Sequence, residues 1–555
     1  MQKPLAGLTR KNLVREVLAG VTLIAIAIPL NIGYAQIAGL PSTAGLYALI
    51  LPTIVYALTV SSRQVVASPD AAAAALVASS VGGLAVAGGA DYASLAAAQA
   101  ILSGLMFVFL AVFKLGFLAN FLSAPILVGF VAGLALDILV SQIAKMLGVK
   151  IDSGAEFLEK LSELVSNIGT TNLWSVLIAA FAIVVLAFGR RLAGLVPWAL
   201  VVLVISTIAV VTLQLNEQGV AVLGEVPAGP PTLSWPIVDW SMWMMLVPAA
   251  LALTMVTTAE GLLVSRAYSE KRGYPTHPNR DLLAFGLGNI AAGASGSFAM
   301  GSSTSRTASM DQAGSRTQLP SLVLAVGTLL LLLFGTALLA DIPSPAIGAI
   351  VAIAILPLLG IRDFVALWKA SRFEFAIGAV CFLVTLLVGA IAGILVAFVL
   401  ALINLARRAA NPAIDVLAAD DSPQNSLLED AELGSVTAPG VIVIRLGAPL
   451  FFANGSVFAD AVKKAITAAP SGAVKHLVID MEAVTDVDVT GAAALVMLTG
   501  WLVDRDITLS FSRMRPPTAA HLRHLGVLTD QQVFKTNREA TAALASPNWT
   551  IRDEP

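Results

Sequence analysis

Four ionisable side chains interrupt otherwise apolar stretches of this chain: Asp70, Asp137, Glu260 and Arg306. A charge at membrane depth costs several kcal/mol unless it faces a polar cavity or a partner. Around Arg306 the sequence reads GSSTSRTAS (301–309), so Ser302, Ser303, Thr304 and Ser305 bring hydroxyls and helix caps to one cation. Around Asp70 it reads SPDAAAAALVASS (68–80). Ser68 is a good N-cap and Pro69 a good first helical residue. The five alanines after Asp70 let neighbouring backbones approach closely. Both patterns suit a helix that begins in mid-membrane and points unpaired backbone N–H groups at one spot. With the helix dipole, such an end holds an anion without a full charge. Taken singly, the same hydroxyls and small residues also serve helix packing.

The chemistry indicated is binding and not bond breaking. No nucleophile–base pair and no phosphate-cradling loop appears. His277, His476, His521 and His524 form no metal-like set. The single Cys381 allows neither an internal disulfide nor a cysteine metal site. No cofactor and no metal is expected, and the chain does not read as an enzyme.

The elements that must carry these residues are membrane spans. The chain has 555 residues, of which 57% are hydrophobic and 12% charged. Soluble domains carry about 25% charged residues, and the mean hydropathy here is +0.86. The net charge of −2 argues against a nucleic-acid partner. Residues 1–410 hold long apolar runs and residues 411–435 form a polar, acidic linker. Residues 436–555 have the short strands and amphipathic stretches of a soluble α/β domain. The N-terminus does not read as a cleaved signal peptide, because its apolar segment is long enough to cross the bilayer.

At about 20 residues per crossing, fourteen spans fit. They lie near 16–36, 43–61, 69–86, 93–113, 124–147, 171–189, 194–214, 245–268, 281–294, 304–314, 319–340, 343–360, 372–388 and 390–408. Charge tests the orientation. With the N-terminus in the cytoplasm, the inner loops receive Lys3, Arg10, Lys11, Arg15, Arg63, Lys114, Arg190, Arg191, Arg266, Lys271, Arg272, Arg280, Arg316, Arg362, Lys369, Arg372, Arg407 and Arg408. The outer loops receive only Lys145, Lys150 and Lys160. Both termini are therefore expected in the cytoplasm of a multi-pass plasma (inner) membrane protein. Spans three and ten are the weakest: both are short, rich in Ala, Ser and Gly, and preceded by irregular sequence. If fourteen divides as seven plus seven, they correspond, as the paired half-helices of inverted-repeat transporters do.

The run IPLNIGYAQIAGLPSTAGLYALILPTIVYALTVSSRQVVASPDAA (28–72) resembles the SulP anion-permease family. So do GFLANFLSAPILVGFVAG (116–133), GNIAAGASGSF (288–298) and SRTASMDQAGSRTQL (305–319). The C-terminal region is similar to a STAS domain. The resemblance implies an all-α membrane domain of two inverted seven-span repeats, followed by a cytoplasmic α/β STAS domain. Spans 1–4 and 8–11 (about 14–114 and 245–340) would form a core. Spans 5–7 and 12–14 (about 115–215 and 341–410) would form a gate. It further implies a homodimer that moves core against gate like an elevator. The anion would lie between the N-termini of spans 3 and 10, at Asp70, Ala71, Ser303, Ser305, Arg306 and Tyr34.

Three positions depart from the family pattern. Leu30 stands where many relatives carry a site glutamine after the span-1 proline, and Asn31 offers an amide in its place. Asp70 stands where an apolar residue is common. Val264 stands one turn after Glu260, where sodium-coupled bicarbonate relatives place a hydroxyl. Loss of that ligand weakens a sodium site. Glu260, and secondarily Asp70, are the candidates for proton coupling, because a proton on a buried carboxyl removes repulsion toward an incoming anion. A salt bridge from Glu260 to Arg306 and simple dipole stabilisation by Asp70 are the structural alternatives. Asp137 reads as a gate or interface residue.

The leading reading is a proton-coupled secondary anion transporter, for sulfate first, then bicarbonate or a dicarboxylate. An uncoupled channel or exchanger, a sodium–bicarbonate symporter and a membrane-anchored regulator are the alternatives. In the C-terminal domain, GVIVIRLGAPLFFAN (440–454) reads as two strands, 474–484 and 507–514 as further strands, and 486–504 as a loop opening a helix. Thr490 stands at the phosphorylatable position of STAS regulators and also reads as a helix cap. A cytoplasmic partner of this domain is a further expectation.

Overall fold

Long apolar runs fold as single helices in this chain, and prolines or serine runs break them. The computed structural model describes residues 5–10, 12–85, 89–117, 124–152, 155–192, 196–418 and 434–545. The acidic segment 419–433, most of the expected linker, lies outside the described residues. Two compact units form, 1–401 and 402–555.

In the first unit α1 (Leu13–Ile37) ends just before Gly39, and the second span is divided into α2 (Ser42–Tyr47) and α3 (Leu51–Thr59). A short strand β1 (Val66–Ser68) leads into α4 (Ala71–Val81), and α5 (Ala90–Val112) and α6 (Ala124–Leu147) follow. Next come α7 (Phe157–Ser166), α8 (Leu173–Leu192) and α9 (Trp198–Leu213). The second half begins with α10 (Trp240–Arg272) and α11 (Pro278–Ala294). A second short strand β2 (Gly301–Ser303) leads into α12 (Thr304–Gln312). The unit closes with α13 (Leu319–Phe334), α14 (Ser344–Ile355), α15 (Ile361–Ala370), α16 (Arg372–Leu387) and α17 (Ala390–Ala410). The division between the units falls within α17.

Each of the fourteen expected spans has its helix or helix pair. Six segments among the described residues are by themselves long and apolar enough to cross a membrane. α4 and α12 are not. At 1.5 Å per residue they reach about 17 and 14 Å, roughly half of a 30 Å hydrocarbon core. Two helices were not foreseen. α7 and α15 are short and amphipathic, and each holds only one or two of the charges that had been read as loop charges.

Packing sorts the helices into two groups. α1 packs on α13, and α5 on α10 and α11, with α3 against α11. Elsewhere α6 packs on α16 and α14, and α14 on α8. The α5–α11 contact is close at its glycines: a Cβ on Gly293 would lie 2.4 Å from the Ala97 carbonyl oxygen, and one on Gly104 2.7 Å from the Gly286 carbonyl oxygen. Small residues let helix backbones approach this closely where lipid offers no hydrophobic drive.

The second unit is a five-stranded sheet in the order β3 (Ile414–Val416), β4 (Gly440–Leu446), β5 (Val474–Asp480), β6 (Thr508–Ser512) and β7 (Val533–Phe534). β3 runs antiparallel to β4 and the other pairs are parallel. α18 (Gly455–Ala468), α19 (Val489–Val503), α20 (Pro516–His524) and α21 (Asn537–Leu544) complete it. Ile442, Ile444, Leu477, Ile479, Leu498 and Phe511 form its core. Only one strand lies in 440–454, not two. Leu450 makes an isolated bridge to Val487, and the chain then turns into α18. Thr490 is not the cap of α19. Asp488 caps it, accepting from the Gly491 amide at 2.7 Å, and Thr490 is exposed in the first turn.

Candidate anion site

The two half-helices start from one structural element. β1 and β2 pair antiparallel, with Val66 opposite Ser303, Ala67 opposite Ser302 and Ser68 opposite Gly301. Each strand ends where its partner begins, so α4 and α12 leave the pair in opposite directions. The strand ends that lead into them, Ser68 and Ser303, are about 7 Å apart along the strands. The Thr307 hydroxyl locks the arrangement, donating to the Ser303 carbonyl at 2.6 Å and accepting the Val66 amide at 3.0 Å.

The caps differ from the expected ones. Ser68 does not cap α4, because the strand pair takes it. Asp70 is the N-cap, with Oδ1 accepting from the Ala73 amide at 2.8 Å. Its Oδ2 lies against Gly301, where a Cβ would come within 2.1 Å of it. Ala71, the first helical residue, is buried. On the other side Ser303 caps α12, accepting from the Arg306 amide at 3.3 Å. Thr304 and Ser305 are exposed in the first turn.

Arg306 is the unusual side chain. It is 1% exposed. Nη2 donates to the Pro69 carbonyl at 2.5 Å, which ties α12 to the start of α4. The guanidinium carbon lies 5.8 Å from the centre of the Tyr34 ring on α1. Nε and Nη1 have no hydrogen-bond partner among the described residues. No carboxylate among those residues lies within ion-pair distance of Arg306. The expected alternative, a Glu260–Arg306 salt bridge, is therefore absent among them. Glu260 on α10 instead lies within electrostatic reach of Asp70.

Arg306, Asp70, Ala71, Ser303 and Tyr34 thus come together, and Ser305 stands at the exposed edge. Asn31 is wholly buried on α1 and donates to the Ala27 carbonyl at 2.8 Å, with its Oδ1 unpartnered. No hydrogen bond among the described residues joins it to Arg306 or Ser303. Val264 packs in an apolar cluster with Tyr56, Phe285 and Met300, so no oxygen faces Glu260 from that position. Asp137 is paired with Lys160, whose Nζ reaches both carboxylate oxygens at 2.8 and 2.9 Å. Sequence reasoning missed Thr258, a buried hydroxyl two residues before Glu260 that has no partner among the described residues, as do Ser68 and Ser302. It also missed Thr307. The only available signal was the density of hydroxyls around the two half-helices.

Two oriented helix ends and a guanidinium with two free nitrogens can hold a small anion. Two nearby carboxyls can adjust the charge. With both ionised, the three charged groups sum to −1, and one proton makes them neutral.

A model of the sulfate permease family matches residues 13–381, and a STAS-domain model matches residues 434–540. Over 547 residues the chain is 33% identical to a probable sulfate transporter of Mycobacterium tuberculosis, covering 96% of each chain. It is 30% identical to the low affinity sulfate transporter 3 of Stylosanthes hamata, over 96% of this chain and 88% of that one. Among solved structures, the murine solute carrier 26 family member A9 anion transporter in its inward-facing state superposes with a TM-score of 0.88. That match has 22% identity and covers 96% of this chain and 92% of that one. The transmembrane domain of the cyanobacterial bicarbonate transporter BicA gives a TM-score of 0.61 at 23% identity, over 71% of this chain and 98% of that one. These likenesses carry the fold, two inverted seven-span repeats with a C-terminal STAS domain. Half-helices that leave one strand pair, a multi-pass membrane domain and matches along nearly the whole chain agree: this protein belongs to the sulfate permease family, whose members are transporters and not enzymes.

Proposed function

We propose that the protein is a secondary active anion transporter, with sulfate as the first substrate and bicarbonate or a dicarboxylate as the next. The observation that carries this reading is Arg306, fully buried between two half-helix N-termini with two nitrogens unpaired. The names of the similar proteins support sulfate as the substrate. Asp70, Ala71, Ser303, Ser305, Arg306 and Tyr34 line the anion site, where the Asp70 carboxylate opposes the anion and the others hold it, and the buried amide of Asn31 adds polarity on α1.

Coupling is to protons, through Glu260 first and Asp70 second. An anion entering a cluster that sums to −1 is repelled. One proton on Glu260 removes that repulsion, so proton and anion arrive together. Val264 supports this reading over sodium, since a sodium site needs several oxygen ligands. Core (about 14–114 and 245–340) moves against gate (about 115–215 and 341–410) as an elevator. The protein works as a homodimer in the plasma membrane, with both termini cytoplasmic. Residues 411–435 link the permease to the STAS domain of 436–555. That domain docks a cytoplasmic partner, and the exposed Thr490 hydroxyl is its phosphorylation point.

The test uses proteoliposomes and labelled sulfate. Uptake should saturate and should follow an inward proton gradient. Glu260→Gln mimics the protonated form, so it should still bind sulfate and exchange it. It should lose accumulation driven by protons. Unchanged proton-driven accumulation would exclude Glu260. Accumulation that follows sodium and ignores pH would exclude the proton mechanism. A current that does not saturate would favour the channel.

A further inference from the structure

A second group of charges lies away from the central site, in a narrow cavity between the ends of α1 and α4 and the face of α6. Lys145 on α6 donates to Oε1 of Gln36 on α1 at 2.9 Å. That bond uses one of its three N–H groups. No carboxylate among the described residues is paired with Lys145. The acid that lines the same cavity, Asp137, is already neutralised by Lys160, which is 6% exposed. Two ammonium groups and one carboxylate leave the cavity with a charge of +1. Gln142, one turn before Lys145, is 0% exposed, and neither its Oε1 nor its Nε2 has a partner among the described residues. A buried amide left unpaired in this way is costly. Here it lines the same cavity as an ammonium group with no acid beside it.

We propose that this cavity is a second anion station, in which Lys145 Nζ and Gln142 Nε2 hold one small inorganic anion. Ala75 and Ala78 of α4 line its other wall. They sit roughly 6–11 Å along α4 from Ala71, at 1.5 Å per residue. The station is thus one to two helical turns from the central site, at the far end of the same half-helix. By the charge pattern of the loops, this end faces outward. The inference rests on the transport reading, for which the outer station concentrates anion at the mouth of the central site. Gln36 accepts one N–H of Lys145, and the station does not depend on that bond, because the other two N–H groups hold the anion.

Equilibrium binding of radiolabelled sulfate to the purified full-length protein tests it. The wild type should bind two sulfates per chain. Lys145→Met and Gln142→Leu, which change polarity and little volume, should each bind one. Gln36→Leu should still bind two. Arg306→Ala should keep one sulfate at wild-type affinity and bind the other roughly 5- to 150-fold more weakly, and the tight one should disappear in Arg306→Ala combined with Lys145→Met. Wild-type stoichiometry in both Lys145→Met and Gln142→Leu would overturn the outer station. So would loss of a sulfate in Gln36→Leu, because Lys145 would then act only as a tie between α1 and α6. Two sulfates at wild-type affinity in Arg306→Ala would instead overturn the central site and leave the Lys145 result to stand alone.

Discussion

α4 and α12 are one device built twice, and they are finished with opposite charges. α4 begins at a carboxylate, Asp70, which places a negative group on the positive end of its helix dipole. α12 begins at a neutral hydroxyl, Ser303, and carries a guanidinium three residues later. The backbone obeys the inverted repeat, and the electrostatics do not. The attraction for an anion therefore comes from the α12 end, whereas Asp70 competes for the amides of the α4 end. On the proposed reading, an anion seated between them is held asymmetrically, with Asp70 opposing it.

The largest effect should follow removal of the cation. Arg306→Ala should weaken sulfate binding by about 1–3 kcal/mol, the loss of a charge-assisted contact. That is roughly 5- to 150-fold in Kd. Arg306→Lys retains charge without the planar fork and should fall between the two. Isothermal titration of the folded variants measures it. Wild-type affinity in Arg306→Ala would erase the difference between the two helix ends.

Next is the point where the two halves touch. Gly301→Ala places a Cβ 2.1 Å from Asp70 Oδ2, so the carboxylate or the strand must move. Overpacking of this kind costs typically 1–3 kcal/mol, and thermal melting in detergent should fall accordingly. The double variant Gly301→Ala with Asp70→Ala should recover part of the loss, because the clashing oxygen is gone. No recovery would mean that Gly301 serves the strand and not Asp70.

Much of this was legible from sequence, for a physical reason. The length of an apolar run and its breakers are local, so fourteen spans, two of them weak, could be counted. Arg306 inside a span announced itself by its cost. The caps were not legible, because they depend on a strand pairing between residues some two hundred positions apart. Ser68 looks like a cap until β2 claims it, and the cap moves to Asp70. The same holds at Asp488, which displaces Thr490. Lys160 looked like a loop charge because spacing does not reveal that α7 brings it onto Asp137. The short amphipathic α7 and α15 fell below the length that a span count registers. In 440–454, alternation suggested two strands, and a bridge to Val487 replaced the second.

A smaller effect separates the two roles of Asp70. Asn caps helices about as well as Asp, so Asp70→Asn should change stability by only a few tenths of a kcal/mol. It removes the charge, however. At a separation of roughly 10 Å and an effective dielectric of about 40–80, one unit charge acting on the two charges of sulfate contributes roughly 1–2 kcal/mol. Sulfate should therefore bind about 5- to 20-fold more tightly to Asp70→Asn. Weaker binding would show that the carboxylate supports the site and does not compete with the anion.

The smallest effect belongs to the other cap. The bond from the Arg306 amide to Ser303 is long, at 3.3 Å, and so lies at the weak end for a cap. Ser303→Ala should cost about 0.5 kcal/mol, against typically 1 kcal/mol for Asp70→Ala. The reason for the difference is local. The start of α12 is also held by Thr307, which keeps its bonds to the Ser303 carbonyl and the Val66 amide when the serine hydroxyl is removed. Asp70 has no such substitute at Ala73. Parallel melting curves of Ser303→Ala and Asp70→Ala in the same detergent decide it. A larger loss in Ser303→Ala would reverse the comparison and make α12, not α4, the half-helix that depends on its cap.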